Sequence, residues 1–297
     1  MALTSTPEEC FAALPEYDYE PQYVDVGEPE MAYVDVGDPN AEETFLCLHG
    51  EPTWGYLYRK MVPTLREEGR VVVPDFVGFG RSDKYTEREE YTYEMHYDSL
   101  VAFIEALDLE NVTLVCQDWG GILGLPVAVN EPERFARLVP MNTGVPSGTQ
   151  EMPEAWEEFR AFVERVEELP IGMLIRNATA TELSEATLAA YEAPFPSEEH
   201  KAGAREWPDM VPREGGGDGA AVTRAAAERL AEWEKPAFVL FADGDPITSG
   251  NRDPLRELIP TASDQPDTWI EGAMHFLQKD AGEEIAQQIV EFVPRTH

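Results

Sequence analysis

Short apolar runs recur along the chain, separated by longer amphipathic stretches. The clearest are residues 44–48, 71–74, 112–116, 138–141 and 237–241, with a weaker one at 267–270. Their near-continuous Val, Leu and Ile content, without in–out alternation, predicts strands covered on both faces, as in a parallel sheet. Upstream, residues 23–26 and 31–36 do alternate and are joined through Gly27 and Pro29, as in an antiparallel hairpin. Between the strands the spacing predicts helices over 61–68, 93–107, 121–130 and 283–292. Strands alternating with helices define an α/β sheet rather than segregated layers.

From about Val145 to Glu234 the strand-like runs vanish. Amphipathic helical stretches replace them at 155–169, 184–191 and 220–233, with a flexible GGGDG connection at 215–219. An all-helical insertion between two strands of a parallel sheet predicts a lid over the strands' carboxyl ends, where open α/β sheets bind ligands. The expected organisation is a core from 1–145 and 235–297, with a helical cap at 146–234.

Composition supports a folded core and narrows the partners. The 297 residues are 43% hydrophobic and 10% aromatic, which is too apolar for disorder. Against 22 Lys+Arg stand 58 Asp+Glu, a formal charge of −36. Such a polyanion repels nucleic acid and anionic lipid, so neither is expected as a partner. The charge predicts adaptation to a salt-rich cytoplasm, where the carboxylate surface is screened. It also opposes self-association, which favours a monomer while leaving the oligomeric state open. Cys10, Cys47 and Cys116 are odd in number and two lie in apolar runs, so reduced thiols are expected. Residues 1–20 lack the basic and apolar regions of a secretory signal, and the apolar stretch 120–129 is too short to span a bilayer. A soluble, cytoplasmic protein is the expectation.

The chemistry concentrates in four segments. In Val115-Cys-Gln-Asp118-Trp119-Gly120-Gly121 a buried strand runs straight into an acid, small residues and a helix. That is the layout of a nucleophile elbow, which lifts one side chain above the sheet. A carboxylate is already ionised at neutral pH, so Asp118 could displace a leaving group without a base and form an ester. Asp before a helix is equally a common N-cap, and the neighbouring motifs decide between the two. In His49-Gly50-Glu51-Pro52 the backbone N–H of Glu51 can enter the same crevice and, with that of Trp119, form an oxyanion hole. His49 reads as structural, and the Glu51 side chain is ambiguous. Asp243-Gly-Asp245-Pro246 and Gly272-Ala-Met-His275 follow the last two predicted strands. They complete the order nucleophile, acid, histidine, with Asp245 preferred over Asp243. His96 and His200 lie in acidic helical contexts and His297 is terminal, which leaves His275 as the base; it would deprotonate a water that attacks the ester. No Cys/His cluster has zinc spacing, and the G-x-G at 78–80 lacks the third glycine of a dinucleotide loop. Neither a metal nor another cofactor is expected.

Taken together, HGEPTW (49–54), PDFVGFGRSDK (74–84), VCQDWGG (115–121), ADGDP (242–246) and GAMHF (272–276) resemble the haloalkane dehalogenases of the α/β-hydrolase superfamily. The resemblance runs from about Tyr33 to the C-terminus and includes AWEEF (155–159) and residues 191–208 of the cap. It implies an α/β-hydrolase fold: a mostly parallel sheet with helices on both faces and an all-helical cap. It implies hydrolysis of a carbon–halogen bond to alcohol, halide and a proton, without cofactor, on a small halogenated hydrocarbon. Asp118 is then the nucleophile, His275 the base and Asp245 the supporting acid. Trp119 and a cap tryptophan hold the halide through indole N–H donors; the subfamily with HGEP places the latter at Trp156, with Trp207 and Trp233 as rivals. Cys116 stands where serine hydrolases carry Gly and is small enough for the turn.

An epoxide hydrolase would share the acid, base and nucleophile but needs phenol donors from the cap, where Tyr191 is the only tyrosine. A haloacid dehalogenase would want an Arg beside Asp118, and none flanks it. A non-catalytic protein of the same fold would have no need for the complete set of acids and histidine.

Overall fold

The computed structural model describes residues 2–296. Its central sheet runs in the order Gln22–Asp25, Glu30–Val36, Arg70–Pro74, Thr44–Leu48, Val112–Gln117, Phe135–Met141. The first two strands form the antiparallel hairpin, Tyr23 facing Ala32 and Val24 facing Met31. The hairpin joins Arg70–Pro74 antiparallel, and the remaining ladders are parallel. Thr44–Leu48 and Val112–Gln117 are buried at every residue, which is why both lack alternation.

The last two predicted strands are shorter than their apolar runs. Residues 237–240 run beside Phe135–Met141 through Phe238 N–H to Leu138 O (2.8 Å) and Leu240 N–H to Pro140 O (3.1 Å). Regular pairing covers only Phe241–Ala242 against Trp269–Ile270, in parallel. At this edge the chain must leave the sheet early to deliver two loops above it.

Two groups of helices flank the sheet. Tyr93–Ala106, Trp119–Asn130 and Ala220–Leu230 pack together, as do Gly55–Lys60, Val62–Leu65 and Leu277–Phe292. The helix expected at 61–68 shrinks to Val62–Leu65 because the chain turns at Gly69, where a Cβ would meet Glu43 O at 2.6 Å. The last helix begins at Leu277 rather than 283 and kinks at Ala281.

Above the carboxyl ends lie Glu154–Arg165, Ile171–Asn177, Glu185–Glu192 and Ala202–Met210. The second and fourth escape sequence periodicity because they are short, follow or contain a proline, and carry few apolar repeats. Ala220–Leu230 lies on the core helix Trp119–Asn130, tied to the loop before the cap by Thr223 Oγ1 to Pro146 O (2.5 Å). Among the described residues no helix is long and apolar enough to cross a membrane.

Candidate active site

The Val112–Gln117 strand ends at Asp118, whose φ of +51° and ψ of −121° fall where non-glycine residues are strained. Surrounding bonds enforce that turn: Asp118 N–H to Asn142 O (3.1 Å) and Thr143 Oγ1 to Asp118 O (2.7 Å). Close approach explains two glycines. A Cβ on Gly120 would lie 2.2 Å from Leu48 O, and one on Gly50 would lie 2.4 Å from Asp118 Cβ. Although Asp118 occupies the N-cap position, its side chain makes no capping bond. It points instead into a hollow.

There Asp118 Oδ1 accepts the Glu51 N–H at 3.0 Å, and the Trp119 N–H also favours the carboxylate. His275 Nε2 stands 3.8 Å from Asp118 Oδ2. On the other side of the ring, His275 Nδ1 lies 3.0 Å from Asp245 Oδ2. Asp245 is fixed in turn by Ile247 N–H (2.9 Å) and by the Thr248 hydroxyl. Asp243 turns away to accept the Gly272 N–H at 2.8 Å, so the rival acid is occupied in its loop.

Burial sets the electrostatics and neighbours adjust them. It raises the Asp118 carboxyl above its ordinary range, against the lowering by His275 and the two N–H groups. On His275 burial opposes the imidazolium, but Asp245 and then Asp118 outweigh it and push the pKa up to about 9. The Glu51 carboxyl is raised well above the usual range by burial and by Asp118.

Two further residues hold His275, and the sequence reading gave neither of them a role. Gln117 Nε2 reaches both His275 Nε2 (3.1 Å) and His275 O (3.3 Å). Asn142 Nδ2 donates to the carbonyls of Met274 and His275, both at 3.0 Å. The only available signal was a polar residue closing an otherwise apolar strand.

A cavity of about 440 Å³ opens over Asp118 and His275. Core residues Trp119 and Phe276 line it, as do Trp156, Phe159, Phe162 and Leu174 from the cap. A smaller hollow of about 230 Å³ shares Asp118 and Trp156 with it. Trp207 is buried beside Trp119, with its Nε1–H committed to His96 Nε2 at 2.6 Å. Trp233 does not line the cavity, and its ring packs near the Lys235 ammonium. Tyr191 is likewise absent from the wall; its hydroxyl accepts from Arg59 at 3.0 Å.

The other histidines are accounted for locally. His49 Nε2 accepts the Phe76 N–H (3.0 Å) and Nδ1 bonds Gly50 O (3.1 Å), with burial lowering its pKa to about 3. His200 pairs with Ser197 Oγ at 2.8 Å, and His297 lies outside the described residues. The G-x-G loop wraps the buried Asp75, which accepts from Gly55 N–H and Arg81 N–H at 2.7 and 2.8 Å. The loop is thus a structural turn around a buried carboxylate. The three cysteines are free thiols, and no cluster of three or more His, Cys, Asp or Glu among the described residues could hold a metal ion.

This sheet, elbow and acid–histidine pair define an α/β hydrolase, and a family model described as alpha/beta hydrolase fold matches residues 43–280. A haloalkane dehalogenase from Psychrobacter cryohalolentis is 41% identical over 99% of this chain and 98% of its own. Haloalkane dehalogenase 1 from Mycobacterium tuberculosis is 41% identical with both chains fully covered. Among solved structures, the tetrameric haloalkane dehalogenase DpaA from Paraglaciecola agarilytica superposes with a TM-score of 0.90 at 41% identity, covering 97% of each chain. The chain belongs to the haloalkane dehalogenase family.

Proposed function

We propose that the protein hydrolyses the carbon–halogen bond of small haloalkanes, with Asp118 as nucleophile, His275 as base and Asp245 as the acid that orients it. The single observation that carries this reading is the Asp118 carboxylate, lifted by a strained backbone turn beneath a largely apolar cavity, with its two oxygens in different surroundings. Oδ1 is held by the Glu51 N–H, while Oδ2 faces His275.

In the first step Asp118 Oδ2 attacks the halogen-bearing carbon, and the bonding pair leaves with the halide. Indole N–H groups donate and cannot accept, so Trp119 and Trp156 suit the departing anion, which needs no proton. Alkylation removes the Asp118 charge, and with it one of the two influences that raise the His275 pKa. The imidazole thereby loses its proton more readily just when a base is needed. Water then gives a proton to His275 Nε2 as its oxygen attacks Asp118 Cγ. Negative charge gathers on Oδ1 between the N–H groups of Glu51 and Trp119. Collapse expels the alkoxide, which takes the proton from His275, and Asp118 sheds the proton left on its new oxygen.

The wall chemistry favours a haloalkane over the neighbouring reactions. Among the described residues no tyrosine lines the cavity to protonate an epoxide oxygen, and no arginine lines it to receive a haloacid carboxylate. We read the −36 charge as fitted to a salt-rich cytoplasm. That charge favours a monomer at low salt, whereas the Paraglaciecola relative is a tetramer.

The test is intact mass of His275→Phe after incubation with a bromoalkane, beside halide release by the wild type. A stable alkyl adduct on Asp118 and wild-type turnover are expected. No adduct together with no halide release would reject the reading, and turnover of an epoxide alone would replace it.

A further inference from the structure

The mechanism needs His275 Nε2 as a bare acceptor when water attacks, yet two carboxylates press the ring toward its protonated form. Asp245 and then Asp118 favour the imidazolium. Glu51 lines the same cavity, and Asp280 accepts the Met274 N–H one residue before the ring. A protonated ring has no lone pair to offer a water. The balance calls for a group that favours the neutral ring, and Gln117 stands at the nitrogen in question.

Gln117 is fully buried and closes the Val112–Gln117 strand, directly before the nucleophile. Its Nε2 lies 3.1 Å from His275 Nε2 and 3.3 Å from His275 O. A carbonyl oxygen can only accept, so the second contact fixes this end of the amide as the donor. Turned over, the amide would set Oε1 against that carbonyl oxygen. In the observed orientation Oε1 has no hydrogen-bond partner among the described residues, and a Cβ on Gly50 would lie 2.8 Å from it. The side chain thus directs both hydrogens to His275 and leaves its acceptor idle. A buried idle acceptor costs free energy, which a merely space-filling side chain would avoid.

We propose that Gln117 is a positioning residue that keeps His275 Nε2 unprotonated between turnovers, as a fixed donor to the lone pair that later takes the proton of water. Its kinetic consequence rests on the Asp118 ester reading above. A hydrogen bond to the neutral form of a base disfavours the charged form. Asp245 at Nδ1 and Gln117 at Nε2 prescribe the same tautomer, with the ring proton on Nδ1. When water reaches the ester it replaces Gln117 at Nε2, while the amide keeps its hold on His275 O beside Asn142 Nδ2 at 3.0 Å. Once the ring is protonated, its new N–H meets the amide N–H group, and this repulsion drives the proton on to the departing alkoxide. Alkylation is untouched, because Asp118 attacks unaided.

The experiment compares wild type with Gln117→Met, which keeps the length of the side chain and removes the donor. The His275 imidazole is titrated by nitrogen NMR of histidine-labelled enzyme; halide burst, alcohol release and intact mass are followed across pH with a bromoalkane. Gln117→Met should titrate about one pH unit higher, as expected for losing one hydrogen bond to the neutral ring. Its halide burst should match wild type. At neutral pH it should accumulate the adduct on Asp118 and release alcohol about tenfold more slowly, with the deficit closing as pH is raised. A midpoint at or below that of wild type in a protein that melts normally, or slow alcohol release that no pH restores, overturns the proposal. Should the variant not fold, the wild type decides alone. Above its midpoint the Nε2 resonance should be that of a hydrogen-bonded acceptor, and the resonance of a free lone pair overturns the proposal. A wild type that forms no halide and no adduct would instead remove the ester reading beneath it.

Discussion

The two halves of the cavity are built by opposite means. Below, Asp118 follows a strand buried at every residue, and its turn is fixed by backbone bonds and by glycines that leave no room for a Cβ beside neighbouring carbonyls and side chains. Above, Trp156 sits on Glu154–Arg165, where only Trp156 and Val163 are fully buried. The cap is tied together by charge. Arg205 and Lys201 both grip Glu198 at 2.5 Å, Arg160 meets Asp209 at 3.0 Å, and Arg88 reaches across from the core to Glu206 and Asp209. Arg160 and Arg213 lie near the Trp156 ring itself. Packing and backbone bonds fix the side of the cavity that carries Asp118, and ion pairs hold the side that carries Trp156.

The sharpest way to break this contrast is Asp245→Asn. Losing the carboxylate that orients His275 should cost about 10³-fold in alcohol release while leaving the halide burst intact. An unchanged steady-state rate would mean that the core does not depend on this pair. The same variant carries a pH signature. His275 gains stability from a pKa raised to about 9, a contribution complete below its unfolded value and lost as pH rises through about 9. The wild-type urea midpoint should therefore drop more between pH 7 and pH 10 than that of Asp245→Asn, and parallel drops would remove the claim.

A smaller effect is expected in the cap. Trp156→Phe keeps the ring but deletes the donor, so halide binding followed by fluorescence quenching should weaken about tenfold, the value of one hydrogen bond to an anion. Quenching as strong as wild type would take the role away from Trp156. The smallest effect, and the broadest, is that of ionic strength. Removing salt strengthens the cap's ion pairs but also the mutual repulsion of an excess of 36 negative charges, and the excess should win. Melting temperature in a halide-free salt should fall as salt is withdrawn; indifference would argue against a salt-adapted surface.

The same contrast governs what the sequence discloses. Asp118 was legible because a buried strand, an acid and two glycines must be contiguous to make that turn. His275 and Asp245 were legible because each lies in the short loop that follows a predicted strand. Gln117 and Asn142 were not, since their work consists of bonds to residues more than 130 positions away along the chain. Trp207, a rival to the preferred Trp156, has its indole nitrogen bonded to His96, a contact between a core helix and a cap helix that sequence spacing does not disclose. Ile171–Asn177 and Ala202–Met210 escaped because each is short and either follows or contains a proline, which leaves too few turns for a periodic apolar stripe.

The unequal lodging of the two carboxylate oxygens has a consequence for bookkeeping of matter. With Oδ1 tethered to the Glu51 N–H, only its partner is free to travel. In the proposed cycle that atom departs inside the alcohol and is replaced from solvent, so each product molecule carries oxygen that the enzyme took up one round earlier.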